Sequence, residues 1–247
     1  MSFTCEQLNP HSCKSYLVVA AGACEAAIID PVLDHVRDHT RLLENRGLKL
    51  AMVIDTHTHA DHISGAAALK DFTGCAYVMF HGSPCTCVNR LVEEGTGLVL
   101  PGGIPARVMH TPGHTKDSIS LVLADRIFTG DALFLDDGGA GRDDLPGGDP
   151  AAHWETLERF RQLPGALLIC PAHDYRGRTP SSLDTQKKTN PHLKPRTRQE
   201  YVNSDFLIPV GWTDGFPERV WRIFRVTNGL RRLSFLGSDF RMIGHAP

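Results

Sequence analysis

Ten residues, Thr56 to Gly65, read T-H-T-H-A-D-H-I-S-G and follow directly on the apolar run Leu48 to Ile54. That run has the length and branched apolar content of a buried strand, so His57, His59, Asp61 and His62 are delivered at a strand's C-terminal end, where side chains converge on a cleft. Alternate positions on an extended turn aim at a common point, whereas a regular helix would spread them. Neutral imidazoles and carboxylates so placed suit Zn, Fe or Mn. The competing reading is a polar loop with chance histidines, and the chemistry downstream weighs against it.

The same arrangement recurs along the chain. Ser15 to Ala20 and Ala26 to Ile29 read as two adjacent strands joined by a tight turn, and Asp30-Pro31 stops the second. Pro31 to Asn45 carries Val32, Leu33, Val36, Leu42 and Leu43 at near-helical spacing and ends at Gly47, so it reads as an amphipathic helix. Ser64 to Phe72 is Ala-rich and helical in character, and Ala76 to Phe80 is a strand. Further strands are expected at Ala106 to His110, Ile119 to Leu123, Arg126 to Thr129 and Ala166 to Ile169. Three of these run into potential ligands: His114 in T-P-G-H-T, Asp131 after Gly130, and His173 after Pro171-Ala172. Sites in layered α/β sheets lie at strand C-termini, so four strand ends bearing ligands argue more strongly than any one motif.

Composition narrows the class without naming the chemistry. The chain has 247 residues and a formal net charge of −2 at pH 7, with no basic run, which disfavours nucleic acid or an anionic membrane as partner. No stretch is long and apolar enough to span a bilayer, and Met1 to Asn9 lacks the pattern of a signal or transit peptide, so the expected compartment is the cytoplasm. Seven scattered cysteines fit reduced thiols rather than a disulfide framework. Cys85 and Cys87 admit a redox or soft-metal pair, with two chance thiols in a loop as the stronger reading.

Taken in order, H-x-H-x-D-H, T-P-G-H-T, F-T-G-D and P-A-H-D-Y resemble the metallo-β-lactamase superfamily, whose fold is a four-layered αβ/βα sandwich of the α/β class. The resemblance runs from Phe3 to Tyr201 and implies a catalytic domain over residues 1–200 with a C-terminal extension over 201–247. After Asp131 it narrows to the persulfide dioxygenase branch, through Gly141 to Asp144, Pro171 to Gly177 and Thr189-Asn190-Pro191. That branch oxidises glutathione persulfide with O2 to sulfite and glutathione at one non-haem Fe(II) per chain. The matching positions are His57, His114 and Asp131. Asp143 stands where the branch usually has threonine. The related glyoxalase II, a hydrolase of glutathione thioesters, is similar at all seven potential ligands.

Ligand chemistry leaves both readings open. His57, His59, Asp61, His62, His114, Asp131 and His173 could hold two Zn(II) with Asp131 bridging, a net charge of about +2 suited to trapping hydroxide and polarising a carbonyl. Two histidines and one carboxylate instead make a facial triad, leaving about +1 for a persulfide anion to neutralise and an adjacent position for O2. There His59, Asp61, His62 and His173 would orient ligands and cleft water by hydrogen bonds. A binding or sensor protein that kept the fold and lost turnover is a third reading, against which the complete ligand set argues.

Other polar residues carry paired expectations. Arg142 lies in a Gly-rich stretch and could clamp a glutathione carboxylate or pin its loop through Asp143 or Asp144. Tyr175 could offer its hydroxyl to the substrate or pack its ring under the loop. Asp174 is expected to support the loop, and Thr115 and Thr129 to offer hydroxyls beside the ligands. His81, His110, His153 and His192 read as structural, and His11, His35, His39 and His245 as solvated. In the tail, Pro217 to Thr227 reads as a helix with an arginine face (Arg219, Arg222, Arg225) suited to solvent or to a homodimer contact, with recognition of glutathione over the cleft as the weaker alternative.

Overall fold

The computed structural model describes residues 2–9 and 12–204. The helix expected at Pro217 to Thr227, and His11 and His245, lie outside the described residues.

Two sheets form the interior. The first has six strands in chain order: β1 (Phe3–Gln7), β2 (Tyr16–Ala20), β3 (Glu25–Ile29), β4 (Lys49–Ile54), β5 (Ala76–Phe80) and β6 (Arg90–Val92). The first three pair antiparallel, and β3 to β6 run parallel. The second sheet has the order β11 (Leu168–Pro171), β10 (Arg126–Gly130), β9 (Ile119–Val122), β8 (Ile104–His110) and β7 (Gly97–Leu100), antiparallel except for the β10–β11 pair.

Alternation along the strands builds the layers. Tyr16, Val18, Ala27, Ile29, Met52, Ile54, Val78 and Phe80 face the second sheet and pack with Leu98, Leu100, Val108, Leu121 and Phe128. Their neighbours Leu17, Ala26, Ile28, Leu50, Val53, Tyr77 and Met79 face outward, where α1 (Val36–Asn45) and α2 (Ala66–Thr73) cover them. Strands buried on both faces have no polar side, which is why β3 to β5 read as continuous apolar runs. On the far side, α3 (Pro150–Arg161) packs Leu157 and Phe160 against Met109, Ile127 and Ile169 of the second sheet. The result is the four-layered sandwich.

Local chemistry accounts for the element boundaries. The Pro31 to Asn45 segment turns through a short 3-10 stretch, Leu33–His35, before α1 begins at Val36, because the Pro31 carbonyl accepts from Gly65 and the Leu33 N–H donates to Ile63. Asp149 caps α3 by accepting from the Ala151 and Ala152 amides, with Pro150 in the first turn. Strands β1, β6 and β7 carry half-exposed or short patterns without a clear apolar signal. Short α4 (Leu183–Thr189) and α5 (Arg198–Val202) complete the chain, and Tyr201 is buried in the third core cluster. The packed core therefore includes position 201. No described helix is long and apolar enough to cross a membrane.

Candidate metal centre

Strand direction brings the ligand-bearing segments to one edge. β8, β10 and β11 all run the same way, since β9 is antiparallel to both β8 and β10 and β11 is parallel to β10. The loop after β4 reaches them from the first sheet, fastened by the Ile119 N–H donating to the Thr56 carbonyl at 2.8 Å. The Thr58 hydroxyl also donates to Asp117 at 2.6 Å. Gly130 has φ +55, and a Cβ there would lie 2.7 Å from the Thr56 hydroxyl oxygen, so only glycine lets β10 approach this loop.

His57, His114 and Asp131 are buried and present three donor atoms within 4.8 Å of one another. His57 Nε2 lies 3.7 Å and His114 Nε2 3.6 Å from Asp131 Oδ2. The opposite nitrogen of each imidazole is held. Thr56 donates its hydroxyl to Asp30, so its oxygen accepts from His57 Nδ1–H at 2.9 Å. His114 Nδ1–H donates to the Arg142 carbonyl at 2.6 Å. With Nδ1 protonated on both rings, both Nε2 lone pairs face the same carboxylate oxygen. Burial, followed by the neighbouring His59, pushes the His57 pKa well below the ordinary imidazole value and keeps the ring neutral. His57 Nε2 has no hydrogen-bond partner, an arrangement that costs roughly 1–3 kcal/mol when a buried acceptor is left unmet and that a divalent cation relieves. These residues fit a metal ion.

A second group stands beside the first: Cys13, Asp61, His62 and His173, again within 4.8 Å. Here the carboxylates link the imidazoles, while His62 Nε2 and His173 Nε2, like His57 Nε2, have no hydrogen-bond partner. His173 Nδ1–H donates to Asp131 Oδ1 at 2.7 Å while its Nε2 lies 2.8 Å from Asp61 Oδ2. Burial opposes charge on His173, yet Asp131 and Asp61 outweigh it and raise its pKa well above the ordinary value. Asp61 Oδ1 meets His62 Nδ1 at 3.1 Å. The Cys13 thiol, 3.8 Å from Asp61, is drawn down to about 6 because His173 and His62 overcome its burial. His59 belongs to neither group: its Nε2 is 3.4 Å from Asp30 and 4.0 Å from Asp55.

Other expectations meet mixed outcomes. Arg142 forms a two-pronged pair with Asp144, at 2.8 and 2.6 Å, as the loop-pinning alternative requires. Tyr175 stacks on the His173 ring, with centroids 5.7 Å apart and planes 7° from parallel, and remains 47% exposed. Asp174 supports its loop by accepting from the Arg178 guanidinium and amide. Thr115 and Thr129 do not serve the ligands: Thr115 bonds Ser118, and Thr129 donates to the Leu133 carbonyl. Thr56 fills that role, because a hydroxyl one residue before His57 can reach its ring. His39 is buried against Asn9 rather than solvated, since it lies on the inward face of α1. His153 is structural, bonded to Asp143 and the Ala132 carbonyl.

Three participants escaped the sequence reading. Asp30 ends β3 with φ +50, and its carboxylate accepts from both the Thr56 amide and hydroxyl. An aspartate before proline at a strand end is a signal for such a role. Asp117 braces Thr58, and Cys13 joins Asp61 from 48 residues away, with no local signal for either.

The metallo-beta-lactamase superfamily model matches residues 8–173. The chain belongs to that superfamily. It is 35% identical to the human mitochondrial persulfide dioxygenase ETHE1, over 76% of this chain and 74% of that protein. The crystal structure of ETHE1 from Myxococcus xanthus superimposes with a TM-score of 0.80 at 33% identity, covering 92% of this chain and 98% of that one. A beta-lactamase hydrolase-like protein of Xylella fastidiosa is 35% identical over 72% of this chain, which spans about half (49%) of that relative's length. The hydroxyacylglutathione hydrolase of Thiobacillus denitrificans is 34% identical over 74% of this chain and 70% of that protein.

Proposed function

We propose that this protein is a persulfide dioxygenase, oxidising glutathione persulfide or a related low-molecular-weight persulfide with O2 to sulfite and the free thiol. Its role would be sulfide detoxification, in the cytoplasm. The observation that carries the reading is the pair of Nε2 lone pairs, on His57 and His114, turned onto one oxygen of Asp131. Two imidazoles and one carboxylate are the donor set of a mononuclear Fe(II) site with open positions. A ferrous ion bound there supplies the redox centre for persulfide and O2. Similarity to the human persulfide dioxygenase ETHE1 and to the Myxococcus xanthus ETHE1 structure supports the same choice.

The chain's own groups divide the remaining work. Thr56 and the Arg142 carbonyl fix the tautomers of His57 and His114, so neither ring must reorganise when a cation arrives. His173 holds Asp131 by its other oxygen, leaving Oδ2 for the metal. Asp61, His62 and His59 keep the wall of the site polar. Tyr175, stacked on His173, can offer its hydroxyl to sulfur-bound oxygen, and Arg142 can offer its guanidinium to a substrate carboxylate.

The dinuclear alternative, a glyoxalase II-like thioester hydrolase with two Zn(II), draws on the second donor group and on the hydrolase relative. Metal analysis with oxygen uptake separates the two. Iron near one per chain and O2 consumption with glutathione persulfide supports the dioxygenase; two zincs with thioester cleavage replaces it. His57→Ala, His114→Ala and Asp131→Ala should each abolish iron binding, and full iron occupancy in any of them refutes the ligand set.

A further inference from the structure

Cys85 and Cys87 lie on the loop between β5 and β6 and belong to neither donor group described above, and their sulfurs are 3.0 Å apart. That is only about 1 Å longer than a disulfide bond. We propose that this pair is a thiol–disulfide exchange site for low-molecular-weight disulfides, with Cys85 as the attacking sulfur and Cys87 as the resolving one.

The loop is built to hold the two sulfurs together. The Lys70 ammonium at the end of α2 donates to the Cys87 carbonyl at 2.8 Å. The Cys85 amide donates to the Ser83 hydroxyl, which itself donates to the Met79 thioether. The Tyr77 hydroxyl lies 3.7 Å from Cys85 and donates to Asp55 at 2.6 Å. Both cysteines are half-buried, so a small reagent can reach them while their backbone stays fixed.

The two thiols differ in acidity. Cys85 is drawn down to about 6 by its contact with the Cys87 thiol and by the Cys87 and Val88 amides, which donate to its sulfur, against the cost of burial. The same contact pushes Cys87 up, and burial adds to the rise. At neutral pH Cys85 is therefore the thiolate, the form that attacks. Its sulfur attacks one sulfur of a disulfide RSSR, forming a mixed disulfide and releasing RS⁻, which takes up a proton. Cys87 then loses its proton to solvent, attacks the Cys85 sulfur and expels the second RS⁻. Two electrons pass from the protein dithiol to the reagent, giving one Cys85–Cys87 disulfide and two RSH. No metal takes part, so the site stands or falls independently of the proposed dioxygenase.

The test treats chelator-stripped full-length protein with oxidised glutathione, blocks remaining thiols with N-ethylmaleimide, and maps the peptide containing Cys85 and Cys87 by mass. In the wild type both positions should resist the block and carry no glutathione. Cys87→Ser should retain one glutathione on Cys85. Cys85→Ser should acquire glutathione on Cys87 roughly tenfold more slowly. Full blocking of both wild-type thiols, or a glutathione retained on each, overturns the exchange site. Equal rates in the two variants overturn the assignment of Cys85 as attacker.

Discussion

The ring of His114 is tethered to the main chain of Arg142, its Nδ1–H donating to the Arg142 carbonyl at 2.6 Å. The tether depends on where the Gly-rich loop lies, and the amide of Gly141 holds that loop by donating to the Asp131 carbonyl at 2.7 Å. One loop thus sets the ring of one proposed ligand through the backbone of another.

Gly141→Ala should cost metal. A Cβ at position 141 would stand 2.6 Å from the Asp131 carbonyl and 2.9 Å from His114 Nδ1, so the loop must move and release the His114 tether. Losing a ligand-orienting contact typically lowers affinity roughly tenfold to a hundredfold. Metal content after dialysis against a weak chelator checks this, and wild-type retention would show that the loop can shift without disturbing the donors.

Arg142→Ala keeps the carbonyl and should leave iron content unchanged. If the guanidinium grips a substrate carboxylate, KM should rise by one charge-assisted pair, about 1.5–3 kcal/mol or roughly tenfold to a hundredfold. Asp144→Ala removes the carboxylate that this guanidinium grips and should not reproduce that rise; if it does, the Arg142–Asp144 pair merely pins the loop. Tyr175→Phe should lower kcat with KM near wild type, since only a hydroxyl acting in the transition state is removed. Steady-state kinetics with glutathione persulfide distinguish the three.

Asp61→Ala and His62→Ala should retain most iron and lose activity, because Asp61 links His62 to His173, and His173 in turn holds Asp131. In a two-zinc hydrolase either change would remove a metal. Halved metal content in Asp61→Ala decides for the hydrolase.

Acid should destabilise the fold through His39. Burial, then repulsion from His35, lowers its pKa to about 4, and its Nε2–H donates to Asn9. The folded protein therefore holds His39 neutral where the unfolded chain, with an imidazole near 6.5, takes up a proton. Its contribution is present above about pH 6.5 and is lost as pH falls toward 4, amounting to about 3 kcal/mol over the window. Thermal melting of wild type and His39→Gln between pH 7 and 4 should show a shallower fall for the variant; parallel curves would remove His39 as a cause.

Sequence alone determined that the candidate ligands stand at strand ends. The continuous apolar runs of β3 to β5 required a sheet buried on both faces, and H-x-H-x-D-H, T-P-G-H-T, G-D and A-H each follow a strand. Spacing along a chain fixes which donors arrive at an edge, but not where an imidazole nitrogen points. Tertiary structure decided that. His57 and His59 are two residues apart, yet Thr56 turns the first toward Asp131 while Asp30 and Asp55 draw the second away. Asp61 and His173 fall to Cys13 and to each other because the start of the chain pairs its backbone with His173, a contact across 160 residues that no local pattern encodes. Ring orientation is set by hydrogen-bond partners contributed from other loops, and those exist only after the sheets have packed.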